Sequence, residues 1–145
     1  VDGGGFGVFV LLMEGLGEMT PEMMHGSPWH DEYLRIAPHP EDFPKLFAKK
    51  TAMDQQIKDL PAEAISAIKS PTLIIIGDSD LVRPEHAVEM FRLLGGGVFG
   101  DTPAGLPNSQ LAILPGTSHV TVVNRVDLLL PMITSFLNAP MPDAG

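Results

Sequence analysis

The chain has no cysteine among its 145 residues. That excludes disulfides, thiolate zinc sites and a cysteine nucleophile, and it leaves the redox compartment undetermined. Basic residues are scarce: nine Lys and Arg against 18 Asp and Glu give a formal charge of −9, with an isoelectric point of about 4.8. They are scattered from Arg35 to Arg125 without forming a patch, so nucleic acid and anionic membrane are disfavoured as partners. Long hydrophobic runs are also missing. The apolar stretch Phe6–Met13 falls far short of the roughly 20 residues that span a bilayer, and no Lys or Arg precedes it as one would in a signal peptide. A soluble, cytoplasmic protein is the expectation. The first residue is Val1, not Met, which points to processing, a trimmed tag, or a piece cut from something longer.

The apolar content of 44% and charged content of 19% predict a globular fold of single-domain length. Residues 1–5 (VDGGG) read as a flexible leader. Phe6, Phe9, Val10, Met13, Leu16 and Met19 recur on a helical repeat over 6–20, weakened by Gly7, Gly15 and Gly17. Prolines 21, 28, 38, 40 and 44 restrict the next stretch to short helical turns near Glu22–His25 and Asp31–Ile36, because a proline inside a helix costs about 3 kcal/mol. A helix starting at Asp42 or Pro44 reaches Lys50, and Pro61 suits the first position of another that ends near Ile68.

From residue 71 the pattern changes. PTLIIIG is short, β-branched and continuously apolar, as expected of a parallel strand buried on both faces. Pro84 opens a helix whose inner stripe is Ala87, Met90, Phe91 and Leu94, and Gly95–Gly97 stop it. A loop follows over 95–109. Leu111–Leu114 reads as a second strand and Pro115–Ser118 as a turn. Thr121 is a candidate N-cap for a last helix to Leu137, with Val122, Val126, Leu129, Leu130, Ile133 and Leu137 as its inner stripe. The tail APMPDAG should be loose. The C-terminal order is β–α–β–α, which implies an α/β fold with a parallel pair and a right-handed crossover.

Asp80 follows the first strand by three residues and His119 follows the second by five. Functional groups of open parallel sheets gather at the carboxyl ends of the strands, so neighbouring strands would bring these two to one edge. An aspartate there accepts the Nδ1–H of the imidazole, fixes its tautomer and leaves Nε2 as a general base. Asp78, nearer the strand, reads as a turn residue. His25, His30 and Asp31, with His39 beyond, have no zinc spacing and read as surface residues. His86, in the first turn after Pro84, reads as exposed. Met13, Met19, Met23, Met24 and Met53 read as helix core, or as the lining of an adaptable apolar pocket. Gly95–Gly97 is no phosphate loop: it ends a helix and no G-K-[ST] follows.

These segments resemble a family. GDSDLVRPEHA resembles the acid-bearing segment of α/β-hydrolases, and LPGTSHVTVV resembles their histidine segment. Asp80 and His119 stand in the family's order of Ser, then acid, then His. Residues 1–69 resemble, loosely, the helical lid that covers the family's active site, and 70–138 match the C-terminal α/β segment; 139–145 is tail. The resemblance implies a partial α/β-hydrolase fold. It also implies ester or acyl hydrolysis without a cofactor, with His119 as general base, Asp80 as its orienter and a small apolar ester as substrate. The departure is as informative. No serine, from Ser27 to Ser135, lies in a G-x-S-x-G elbow, and the oxyanion-hole loop is missing. Acyl transfer needs nucleophile, base and oxyanion donors together, so inactivity is expected of this chain alone. Exposed strand edges and apolar sheet faces predict a homo-oligomer, or pairing with an N-terminal hydrolase segment. The alternative is a non-catalytic chain that self-associates or binds an apolar ligand.

Overall fold

A computed structural model describes residues 7–8, 19–54, 56 and 60–140. The expected leader, most of the helix expected over 6–20 and the last five residues of the tail lie outside them. Gly7–Val8 does not continue a helix. It forms a two-residue strand (β1) antiparallel to Leu60–Pro61 (β2).

The described residues fall into two compact units, 19–56 and 60–140 with 7–8. The division therefore lies about ten residues before the expected boundary at 69/70. The short helix after β2 belongs to the C-terminal α/β unit.

In the 19–56 unit the prolines act as expected but break the chain less. A 3-10 turn covers Glu22–Met24. Helix α1 then runs through all of Pro28–Ile36, because Pro28 occupies its first turn, where no amide is needed, and the Ser27 side chain accepts the His30 amide at 3.3 Å. A second 3-10 turn, Pro40–Asp42, leads into α2, Phe43–Asp54. Phe43 is the buried anchor, with the rings of His30 and Tyr33 at 4.8 and 5.3 Å. Met24 is also buried, whereas Met23 and Met53 are exposed; Met13 lies outside the described residues.

The second unit is α/β. Pro61 precedes helix α3, Ala62–Ser66, as its N-cap. Strand β3 covers Thr72–Ser79, helix α4 covers Pro84–Leu93, and strand β4 covers Ser109–Ser118. β3 and β4 pair in parallel from Thr72↔Ser109 to Gly77↔Leu114. The Ser109 hydroxyl donates to the Leu94 carbonyl at 2.6 Å, which ties the end of α4 to the start of β4. Pro84 opens α4 as the sequence indicates.

Two expectations about burial fail here. The residues Thr72–Ile76 are half-buried, not enclosed on both faces. A strand in a two-stranded sheet has no neighbour on one side, so its Ile and Leu side chains lack the packing of a central strand. The last helix also differs. Thr121–Asn124 is a separate 3-10 turn, and α5 begins at Val126 and ends at Leu137. Thr121 does not cap it. Val126, Leu130, Ile133 and Leu137, expected on the inner stripe, are exposed.

Candidate functional site: an aspartate–histidine pair at the carboxyl edge of the sheet

The carboxyl ends of β3 and β4 do not finish in register. Gly77 pairs with Leu114, and the next pair is Ser79 with Ser118. One residue, Asp78, thus stands opposite three, Pro115, Gly116 and Thr117. The segment expected to be a turn is instead a bulged continuation of the strand, and the bulge advances β4 toward the site. Gly116 adopts a φ of +58°, a left-handed conformation suited to glycine. Gly77 permits the close approach. A Cβ at that position would lie 1.9 Å from the Thr117 carbonyl oxygen.

Side chains satisfy the backbone that the bulge frees. Asp78 reaches across and accepts the Gly116 amide at 2.9 Å and the Thr117 amide at 3.1 Å. These two donors, Gly116 first and then Thr117, hold its carboxyl below the ordinary value of 3.8. The Thr117 side chain is buried; its hydroxyl donates to the Pro115 carbonyl at 2.9 Å. Arg125, just ahead of α5, donates through Nη1 to the Pro115 carbonyl at 3.0 Å and to the Thr117 hydroxyl at 2.8 Å. Beyond the bulge the Ser118 amide donates to Thr121 Oγ1 at 2.9 Å, and the Thr121 amide donates back to Ser118 Oγ at 3.2 Å. His119 lies inside this bracket.

The structure brings Asp80 and His119 together. His119 Nδ1 lies 2.9 Å from Asp80 Oδ1. Asp80 is 5% exposed, and the same oxygen accepts the Val82 amide at 3.0 Å. The His119 side chain keeps 49% of its surface accessible. A buried carboxylate facing Nδ1 favours the Nδ1–H tautomer and directs Nε2 away from the acid. The unit thus holds an imidazole that can accept a proton, with an anion in place to stabilise the resulting cation.

No described serine completes this pair. Ser118 is engaged with Thr121, and the Ser79 hydroxyl donates to Asp78 at 3.4 Å. Two cavities of about 350 Å³ lie elsewhere: one between the sheet and α5, with Leu73, Ala112 and Met132 in its wall, and one at the opposite end of the strands, beside Lys69 and Asn108. Neither is lined by Asp80 or His119.

The other histidines are placed differently from one another. His25 stacks against His30 with centroids 4.6 Å apart, and His39 faces Glu41 at 3.4 Å. Among the described residues no group of three His, Asp or Glu could hold a metal ion. His86 is buried, contrary to its expected exposure, and among the described residues its Nδ1 has no hydrogen-bond partner. Sequence reading missed Asp78, taken there for a turn residue, and Arg125. Asp78 had a usable signal, since it sits directly after the glycine of GDSD. Arg125 had none, because its partners Pro115 and Thr117 are fixed only by the path of the chain. Comparison of the chain with protein-family models, with curated proteins and with solved structures gives no match.

Proposed function

We propose that this chain carries the acid–base half of a hydrolase site, in which His119 is the general base for attack on a carboxylic ester and Asp80 orients it. The observation that supports this most is the 2.9 Å contact between a buried Asp80 and His119 Nδ1 at the carboxyl edge of a parallel strand pair. In such an arrangement Nε2 takes the proton of a hydroxyl nucleophile and later gives it to the leaving alkoxide, while the carboxylate stabilises the imidazolium between the two steps. The scheme needs no cofactor. It does need a nucleophile and oxyanion donors from a surface outside this chain, so the chain alone should show only background turnover.

The test follows the gene's reading frame upstream of Val1 and assays p-nitrophenyl butyrate with the chain alone and with the extended product. Turnover by the extended form, abolished by His119→Ala, is the expected result. An extended form without a G-x-S-x-G segment, or with turnover indifferent to His119, would sink the reading.

A second reading, self-association through exposed apolar surface, is favoured by a separate observation. Val126, Leu130, Ile133 and Leu137 recur at spacings of four, three and four along α5, and all four are exposed. A helix stripe of that kind fits a second copy of the chain.

A further inference from the structure

We propose that Asp78 is the positioning residue of His119: it sets the backbone that carries the imidazole, as Asp80 sets the ring. The inference rests on the reading of Asp80 and His119 as a working pair.

The ladder between β3 and β4 breaks at its carboxyl end. Regular pairing runs to Gly77↔Leu114 and resumes only at Ser79↔Ser118. Between those points main-chain hydrogen bonds cannot fix how far β4 advances, because two more residues are spent on β4 than on β3. The Asp78 carboxylate bridges that gap. It is joined to Gly116 and Thr117 across 38 and 39 residues of sequence, one amide on each oxygen. From Thr117 only Ser118 intervenes before His119, and Ser118 is itself held by Thr121. Asp78 therefore lies two residues from Asp80 on one strand and grips the chain two residues from His119 on the other. Any slip of the bulge along Asp78 changes the Nδ1–Asp80 separation.

The chemistry of the residue supports the assignment. A carboxylate offers an acceptor on each of two oxygens, whereas an asparagine offers one acceptor and one donor, and the donor would face an N–H. The neighbouring charges act on the same segment: Arg125 holds the Pro115 carbonyl and the Thr117 hydroxyl, and Asp80 holds the ring. The close approach is available only because Gly77 has no Cβ.

The test uses the full chain and the ¹⁵N shifts of the His119 imidazole, which report the nitrogen that carries the proton. It is made at about pH 8, where an ordinary imidazole is neutral. In the unsubstituted chain the Nδ1–H form should dominate. Asp78→Asn should lower the ratio of Nδ1–H to Nε2–H by roughly three- to tenfold, the equivalent of one weakened hydrogen bond. Asp80→Asn is the reference for full loss of the preference. An Asp78→Asn chain that melts earlier yet keeps the tautomer ratio would overturn the proposal, since that outcome belongs to a purely structural carboxylate. Should Asp78→Asn fail to fold, acid titration of the unsubstituted chain gives the second readout. The Gly116 and Thr117 amide protons should move upfield together with protonation of the Asp78 carboxyl; amides that ignore it overturn the proposal. An extended product whose ester turnover is indifferent to His119, alongside the expected tautomer change in this chain, would count against the hydrolase reading and leave the role of Asp78 standing.

Discussion

At Gly77 the fold has room for a hydrogen and nothing larger, because the obstacle is the Thr117 backbone and not a flexible side chain. Gly77→Ala should therefore push β4 away from β3 at the edge that bears Asp80 and His119. The expected cost is about 1–3 kcal/mol, the range for overpacking, read as a lower urea midpoint with an unchanged slope; a midpoint equal to that of the parent would show that the approach is looser than described. Asp78 makes a pH prediction at the same scale. Its carboxyl is held below the ordinary 3.8 by the Gly116 and Thr117 amides, so the folded form binds its proton less readily than the unfolded form. A depressed folded value stabilises the fold at pH above 3.8, and that contribution disappears as pH falls through the lower folded value. Urea midpoints of the parent and Asp78→Asn, measured against pH, should differ at neutral pH and converge as pH falls from about 4 through the lower folded value.

At the scale of elements, α5 contradicts its own sequence. Pro131 stands at the middle of Val126–Leu137, where it removes an amide and crowds the preceding turn. Pro131→Ala should stabilise the chain by about 1–2 kcal/mol, less than the full helix-interior difference of about 3 kcal/mol, because the proline ring also lines the cavity against Leu73 and Ala112. Thermal melting followed by circular dichroism checks this; a lower melting temperature would mean that the ring's packing outweighs the lost helix bond. Elements set by local chemistry were the legible ones. Pro84 marked the start of α4, and the β-branched run after Pro71 marked β3. The bulged end of β4 was not legible. A Pro-Gly pair reads as a turn by itself, and Asp78 and Arg125, acting from a distance, help hold it as strand.

At the scale of the whole molecule, few apolar side chains among the described residues are enclosed. Among the described residues the buried apolar set is Met24, Phe43, Ile65, Ala87 and Leu114, while the α5 stripe and much of β3 stay accessible. Exposed surface of this kind favours association, and the net charge of −9 opposes it. Light scattering over a concentration series should show dimers that increase with salt, as screening removes the repulsion. Leu130→Glu should suppress them while shifting stability by no more than about 0.5 kcal/mol, as for a surface substitution. A chain that stays monomeric at every concentration and salt level would remove self-association as a reading. Among the described residues no helix is long and apolar enough to cross a membrane.

The sequence by itself determined the α/β class, the order of the C-terminal elements, and the placement of Asp80 and His119 just past two strands. Each of these depends on short-range chemistry: apolar runs, a proline at a helix start, glycines at its end. Tertiary structure decided what depends on contacts between residues far apart. It turned the Pro-Gly turn into a bulged strand, because the Asp78 carboxylate, 38 and 39 residues away in sequence, accepts the Gly116 and Thr117 amides. It buried His86 and exposed the α5 stripe, because burial depends on what packs opposite a residue and not on its spacing. It also closed the 2.9 Å gap between Asp80 and His119, a distance set by the register of two strands joined through a helix and a long loop.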